Sequence, residues 1–359
     1  MAEIQVRKDD LRQTRAVDGE ARRDAVEAGE VQLELERFSL TANNVTYGVF
    51  GDALGYWRFF PPAEDGWGCV PAWGFGEVVA SGVPGVEPGE RFYGFFPMAA
   101  RRTLRAEPGG GGFTAADEHR RELPAVYNQY LRTPAEAPHP DITVLVRPLF
   151  ATAFLLDEML RREGSFGAQT VLLSSASSKT ALATAFQLAR RADGPPAVGL
   201  TSPANAAWTQ SLGLYDRVAT YEEVEAVVAG DEPLAYLDFS GDAALRRRIH
   251  EGAGERLEHS AVIGATHWED TAAAGDEPLP GPEPALFFAP THAAALTEEL
   301  GRDELLRRMD HAWSAFADRA DGWLDVEHGH GADAVQQVWR GLVDGTADPR
   351  TGHVLHLRG

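Results

Sequence analysis

Between Thr170 and Leu182 the chain reads T-V-L-L-S-S-A-S-S-K-T-A-L, a short apolar run followed by four serines, one lysine and one threonine with no glycine among them. Hydroxyls at Ser175, Ser177, Ser178 and Thr180 and the Lys179 ammonium are groups that bind phosphate oxygens. A helix starting near Ser178 adds the partial positive charge of its N-terminus. A ligand-free turn capped by ordinary Ser and Thr residues is the competing reading. Two other chemistries fail on spacing. Lys179-Thr180 imitates the end of a P-loop, but the glycines before the lysine are absent. Ser175 and Ser177 lack the flanking glycines that let a nucleophilic serine occupy a strained elbow. Elsewhere, Glu327-His-Gly-His330 offers two imidazoles without a third and fourth ligand in the pattern, so it does not read as a metal motif. The single cysteine, Cys69, cannot form an internal disulfide or a Cys-rich zinc site and reads as a small buried hydrophobe.

Hydrophobic patterning indicates which elements hold these groups. From Val31 to Phe38 the order VQLELERF alternates apolar and polar residues as a half-buried strand does, and Phe75 to Ala80, followed by Gly82 and Gly85, reads similarly. With turns marked by Pro61-Pro62, Pro84, Pro88-Gly89 and Gly109 to Gly112, the first third predicts short strands in a barrel-like fold. At Pro148 the character changes. Leu149 to Arg162 has helical spacing, Thr170 to Leu173 is a buried-strand run, and Thr180 to Arg191 is helical again. Strands at Ala197 to Thr201, Arg217 to Ala219, Ala235 to Phe239 and Ser260 to Gly264 then alternate with helices at Ala204 to Leu212, Glu222 to Val228 and Ala243 to Glu251. This alternation predicts a parallel sheet covered on both faces, a doubly wound nucleotide-type domain. An acidic, Pro-rich loop is expected at Glu269 to Pro284. Helical patterns follow at Thr297 to Asp318 and Ala332 to Leu342, and a strand at His353 to Leu357 closes the chain.

A chain of 359 residues has material for two domains. Acidic residues outnumber basic ones by 54 to 33, with no basic cluster to interrupt the excess, so nucleic acid is not an expected partner. The apolar runs are far shorter than a membrane span and the N-terminus MAEIQVRKDD has no signal core. The expectation is a cytoplasmic protein with no membrane partner.

The order of these parts resembles the medium-chain dehydrogenase/reductase superfamily, especially its quinone-oxidoreductase and enoyl-reductase branches, over residues 30 to 359. Phe38 to Tyr47 (FSLTANNVTY) is similar to the family's first active-site strand and turn. Trp73-Gly-Phe-Gly-Glu-Val78 with Gly82, Val86 and Pro88-Gly-Glu-Arg91 resembles its run of Gly-x-Val, Gly, Val and Gly-Asp-Arg. Pro148-Leu149 before Thr152-Ala153-Phe154 looks like the helix preceding the cofactor domain, and Ala334-Val335, Gly345 and Gly352 to Leu357 like the ending that returns to the catalytic domain. The resemblance implies an α/β protein. A GroES-like β-barrel catalytic domain would comprise 1–147 and 291–359, and a Rossmann doubly wound parallel sheet 148–290. It also implies a zinc-free enzyme: where zinc-dependent relatives place a Cys and a His-Glu pair, this sequence has Asn44 and Ala72-Trp73, and the four-cysteine zinc lobe is missing.

Within that resemblance the Ser-rich turn occupies the place of the Gly-rich dinucleotide loop. The second strand ends Gly199-Leu-Thr-Ser-Pro-Ala-Asn205, with no Asp or Glu to grip the ribose hydroxyls. NADP(H) is therefore implied over NADH, with Ser202, Asn205 and Lys179 near the 2′-phosphate. Asp238 and Gly264 fall at the ends of later strands, beside the cofactor, and Gly264 would suit close passage of the nicotinamide. Tyr47 lies near the polar position of the first motif and Tyr56 where enoyl-reductase relatives place a proton donor. Either could protonate an enolate or alkoxide, or simply pack as an aromatic. Asn43 or Asn44 could orient a carbonyl, and His267-Trp268 could wall the pocket. Phe113 to Arg132, with His119-Arg120-Arg121 and Val126-Tyr-Asn-Gln-Tyr130, exceeds what the barrel requires and reads as a lid, a substrate wall or a helix face. The implied function is reduction of an activated carbonyl or conjugated alkene of a small molecule. The glycine-free turn leaves open a scaffold that has lost hydride transfer and acts as a lyase, hydrolase or ligand-binding protein. A homodimer through the edge of the nucleotide sheet is the implied assembly.

Overall fold

The computed structural model describes residues 2–109, 111–264 and 278–358. The chain divides into two compact units, Met1–Leu145 with Leu324–Gly359, and Val146–Trp323.

The first unit begins with β1 (Ala2–Arg7), β2 (Asp10–Asp18), β3 (Glu30–Leu40), helix α1 (Ala42–Val49), β4 (Trp67–Gly68), β5 (Pro71–Ser81), β6 (Arg91–Pro97), β7 (Arg101–Gly109), β8 (Gly112–Ala115) and β9 (Gln129–Arg132). Strands run in the order β3-β5-β6-β9-β8-β7, and β7 pairs back onto β3, closing an antiparallel barrel of six strands. The alternation in β3 buries Val31, Leu33 and Leu35, and bulges between Gln32 and Leu33 and between Leu35 and Arg37 bend the strand around the core. The segment 113–132 is not an addition to this barrel: it supplies β8 and β9. Each is only four residues long and, unlike the equally short Thr170–Leu173, has no continuous apolar run to register as a strand. Inside, Phe113 stacks on Tyr130 with centroids 4.7 Å apart. Gly94 on β6 makes room for that ring, since a Cβ there would stand 2.3 Å from it.

Helix α2 (Pro140–Arg162) starts eight residues before Pro148, where the helical pattern was expected to begin. Proline inside a helix leaves the carbonyl four residues earlier without its donor. Here that carbonyl, on Val144, accepts from the Ser39 hydroxyl, and the helix continues through.

The second unit contains β10 (Thr170–Leu173), α3 (Lys179–Ala189), β11 (Ala197–Thr201), α4 (Pro203–Ser211), β12 (Arg217–Thr220), α5 (Val224–Val228), β13 (Leu234–Asp238), α6 (Ala243–Ala253), β14 (Leu257–Val262), β15 (Ala285–Leu286), α7 (Ala289–Leu300) and α8 (Arg302–Ala320). The sheet order is β12-β11-β10-β13-β14-β15 with every pair parallel, the doubly wound arrangement expected from the alternating pattern. On one face Leu172, Leu200 and Tyr236 pack with Val224, Val228, Leu245 and Ile249. Another core gathers Phe150 of α2, Phe186 of α3, and Trp313 and Phe316 of α8. Phe150 lies 4.9 Å from Phe316, and Phe186 lies 5.2 Å from it. That aromatic cluster places residues 291–323 in the second unit, whereas they were expected with the barrel. The continuous helix expected at 297–318 is two helices, because Gly301 (φ 80°, ψ 150°) breaks it.

After α8 the chain returns to the first unit through β16 (Asp325–His330), α9 (Gly331–Val343) and β17 (Thr351–His356). Strand β17 lies antiparallel to β3 at Phe38–Leu40 and parallel to β16, a strand the pattern had not indicated. His267-Trp268 and most of the loop expected at 269–284 lie outside the described residues. No described helix is long and apolar enough to cross a membrane.

Candidate functional site

Because all strands of the second unit run the same way, the ends of β10, β11, β13 and β14 meet at one edge of the sheet, together with the first turns of the following helices. The glycine-free turn lies there. Ser175 adopts φ 46°, the left-handed region that glycine reaches without steric cost, so the bend is made by a serine. Ser178 is the N-cap of α3 and accepts from the Ala181 N–H at 3.4 Å, and Lys179 and Thr180 open the helix. The Thr201 hydroxyl donates to Ser177 Oγ at 3.1 Å, and the Ala176 N–H to the Leu200 carbonyl at 2.9 Å, tying the turn to the end of β11. Ala176 sits so close to Gly199 that a Cβ on the glycine would be 2.7 Å from its methyl. Tyr221, whose phenol is pushed up by burial, hydrogen-bonds Ser175 from the turn that follows β12; nothing in the pattern around it had marked it out. Ser202 caps α4 at the next strand end, with Asn205 in its first turn donating its N–H to the Ser202 carbonyl at 3.0 Å.

Asp238 has a different role from the cofactor contact expected of it. Its Oδ1 accepts from Ser174 Oγ at 2.9 Å, Ser240 Oγ at 2.7 Å and the N–H groups of Ser240 and Gly241, both at 3.0 Å. Oδ2 pairs with Arg246 Nε at 2.9 Å. The carboxylate is fully buried, and a buried charge must be saturated by its surroundings. Asp238 therefore knots the ends of β10 and β13 together. Gly264 is also accounted for by the backbone: its N–H donates to the Asp238 carbonyl at 3.2 Å, and a Cβ would stand 2.5 Å from the Phe239 carbonyl oxygen. Ser175, Ser177, Ser178, Lys179, Thr180, Ser202, Asn205 and Gly264 thus share one edge. His267, expected on the same edge, is outside the described residues.

In the first unit, Tyr47 and Tyr56 come together with centroids 4.4 Å apart, in a cluster with Phe59, Phe95 and Tyr127. Tyr47 is held on the last turn of α1, and its hydroxyl is hydrogen-bonded to Asn43 and receives the Trp73 indole N–H at 3.4 Å. Tyr56 and Tyr127 share a hydroxyl hydrogen bond of 3.0 Å. Tyr127 comes from the polar aromatic segment 126–130. Burial drives all three phenols up. Tyr56 is pushed to about 12, with its Tyr127 hydrogen bond opposing, and Tyr47 and Tyr127 lie well above the usual phenol range. Asn44, in contrast, is a cap: its Oδ1 accepts the Thr41 N–H at 2.8 Å and its Nδ2 donates to the Pro71 carbonyl at 2.9 Å. It is occupied there by the start of α1, and Asn43 is the asparagine that reaches a phenol. Cys69 is buried and donates to Glu3 at 3.4 Å. Among the described residues, no three His, Cys, Asp or Glu side chains converge in a geometry that holds a metal ion.

Solved structures share this architecture along the whole chain. CurA from Vibrio vulnificus, in complex with NADPH, matches with a TM-score of 0.64 at 12% identity, covering 100% of both chains. Escherichia coli quinone oxidoreductase complexed with NADPH gives 0.59 at 14% identity, covering 99% of this chain and 100% of the other. The yhdH oxidoreductase from Salmonella enterica, in complex with NADP, gives 0.55 at 15% identity, covering 100% of both. The fold is that of the medium-chain dehydrogenase/reductase superfamily, as the motifs implied. No curated protein matches the chain by sequence. The model of the family described as "Protein of unknown function (DUF2855)" matches residues 38–348, and the chain belongs to that family.

Proposed function

We propose that this protein is a zinc-independent, NADPH-dependent oxidoreductase that reduces an activated carbonyl or a conjugated alkene of a small molecule. The observation that carries the reading is the turn between β10 and α3. It makes the left-handed bend of a dinucleotide loop at Ser175 and lines the start of a helix with the hydroxyls of Ser177, Ser178 and Thr180. Hydroxyl donors at a helix N-terminus suit phosphate oxygens, so the donor set fits a dinucleotide. That three proteins of the same fold were solved with NADPH or NADP supports the choice of cofactor. Lys179, Ser202 and Asn205 would hold the 2′-phosphate, since β11 ends without the carboxylate that grips a ribose diol.

The reduced nicotinamide supplies a hydride when bound. On the first unit, the phenols of Tyr47 and Tyr56 hold protons that burial keeps in place at neutral pH, and either can pass one to an enolate or alkoxide oxygen. Zinc independence rests on residue chemistry: Asn44 and Ala72-Trp73 offer no thiolate, imidazole or carboxylate. The edge position of β15 with Leu286 exposed supports a homodimer through the nucleotide sheet, which sedimentation velocity would read directly.

Titration with NADPH, followed by nicotinamide fluorescence, tests the reading. Saturable binding is expected, and Lys179→Ala should weaken NADPH more than NADH. Equal weakening would remove Lys179 from the 2′-phosphate. No binding at millimolar cofactor would overturn the reductase in favour of a lyase, hydrolase or ligand-binding scaffold.

A further inference from the structure

Strands β16 and β17 bring three imidazoles to one face of the first unit. His328 and His330 are two residues apart on β16, so they point the same way, and His330 pairs in register with His356 on β17. His330 stacks on His356, with centroids 4.7 Å apart at 12°. His328 meets His356 differently. Its Nδ1 lies 3.0 Å from His356 Nε2, the ring planes differ by 22°, and the centroids are 5.3 Å apart, the separation of two rings set end to end across a bond of that length. The hydrogen and the lone pair of a ring nitrogen both lie in the ring plane, so this is a nearly straight N–H···N bond.

The partners of the pair fix how many hydrogens it holds. His356 Nδ1 is 2.9 Å from the Glu36 carbonyl, which can only accept, so Nδ1 carries a hydrogen and Nε2 of the neutral ring accepts. His328 Nδ1 must then donate. His328 Nε2 is 3.2 Å from Asp141 Oδ2, and a lone pair there would face a carboxylate oxygen, so that nitrogen needs a hydrogen as well. Two neutral imidazoles carry two ring N–H hydrogens between them. The arrangement uses three.

We propose that His328 is a structural imidazolium: the folded chain takes up one proton there, and the cation, held between Asp141 and His356, fastens the β16–β17 edge to β3 and to the first turn of α2 as a pH-sensitive latch. The elements around the pair are arranged for one positive charge. Asp141, in the first turn of α2, accepts from Arg37 Nη1 at its other oxygen, Oδ1, at 2.5 Å, which leaves Oδ2 for His328. On β3, Arg37 also pairs with Glu36, and Arg91 holds Glu36 from β6. Glu327 and His353 alternate to the opposite face and form their own pair at 3.7 Å. Beyond the strands, Asp333 lies in the first turn of α9, and Arg358 is held by Glu34 and Glu77. Burial pushes the His356 imidazole below its ordinary value of 6.5, with the Glu36 carbonyl opposing, so the acceptor ring stays neutral while its neighbour is charged. The latch is therefore closed over a band of pH. Towards acid, a proton on His356 removes the acceptor at Nε2 and sets two cations end to end. Towards alkali, His328 gives up its proton and turns a lone pair to Asp141. Neither the cofactor reading nor the phenol cluster enters this argument.

Long-range proton–nitrogen NMR spectra of the full chain, labelled with nitrogen-15 at its histidines and held near neutral pH, test it. His328 is identified by the signals that His328→Gln removes. Both ring nitrogens of His328 are expected to carry hydrogens, with His356 neutral and protonated at Nδ1 alone. Asp141→Asn supplies an amide that can donate to His328 Nε2, so in that variant His328 should become neutral with its hydrogen on Nδ1. Thermal unfolding gives a second readout. A proton bound more tightly by the folded chain than by the unfolded one stabilises the fold at low pH and ceases to do so as the pH rises. The Tm of the wild type should therefore exceed that of Asp141→Asn by an amount that shrinks between about pH 6 and about pH 9. A neutral His328 in the wild type near pH 7 would overturn the latch. So would an imidazolium that Asp141→Asn leaves in place, or a Tm difference that does not change with pH.

Discussion

Tyr47 and Tyr56 lie side by side but differ in what holds their hydroxyls: Asn43 and Trp73 for the first, Tyr127 for the second. A donor that must return to its starting state needs a source for its proton: Tyr127 is an ionisable neighbour of Tyr56, whereas Asn43 and Trp73 only hydrogen-bond the Tyr47 oxygen, so Tyr47 would be reprotonated from solvent. If Tyr47 is the donor, Tyr47→Phe should lower kcat by about 10²-fold or more, within the usual range for acid catalysis, and leave NADPH affinity unchanged. Tyr56→Phe should then retain most of the turnover; the reverse pattern would assign the role to Tyr56. At Asp238 the consequence is stability. Truncating it to Ala strands Arg246 and four donors, so urea unfolding should show a loss of about 3–5 kcal/mol. The residue types at both places are legible in the sequence, but their partners are not. Asp238 meets Ser174 across 64 positions, and Tyr56 meets Tyr127 across 71. Asn44 looked like a chemical group for the same reason, because the Pro71 carbonyl that takes its amide is 27 positions away. The conformation of Ser175 was equally hidden, since a left-handed serine has no marker where a glycine would have announced the bend.

Elements were readable in proportion to their length and regularity. The strand at Ala197–Thr201 and the helices α3, α4 and α6 appear within a residue or two of where the sequence pattern places them, and α6 buries one face, with Leu245, Ile249 and Ala253 inward. The failures have local causes. Strands β8 (GFTA) and β9 (QYLR) lack the continuous apolar run that marks the equally short β10 (TVLL), and Pro148 signals a helix start only if no side chain can satisfy the carbonyl it releases, which Ser39 does. Gly301 is the opposite case: it separates α7 from α8 at φ 80° and ψ 150°, a region closed to other residues. Gly301→Ala should therefore cost about 1–3 kcal/mol in denaturant unfolding despite open space around the position. A neutral result would mean that the two helices can merge without loss.

At the scale of the molecule, burial of aromatic hydroxyls is widespread. Tyr47, Tyr56, Tyr127, Tyr130, Tyr215, Tyr221 and Tyr236 are all shifted up, with burial as the first cause. A phenol harder to ionise in the folded chain than in the unfolded one contributes stability below its ordinary value of 10. That contribution is lost as the pH rises through the folded value, about 12 for Tyr56. Tyrosinate absorbance should thus stay low in the native protein at pH 11 and rise abruptly with alkaline unfolding. A smooth titration centred near 10, with native circular dichroism retained, would contradict this packing.

Strand β3 changes neighbours along its length: β7 takes Glu30–Glu34, β17 takes Phe38–Leu40, and β5 runs beside both. Synthesis proceeds from the N-terminus, so the barrel emerges with the far end of β3 open while the whole of Val146–Trp323 is still to be made. The second unit is continuous and can close on itself at once; the first must wait for Thr351–His356 to arrive. Until then a row of backbone donors and acceptors on β3 is available to any extended segment that passes, including the same strand of another nascent chain. The order of translation thus gives this protein a period of vulnerability that its finished form no longer shows.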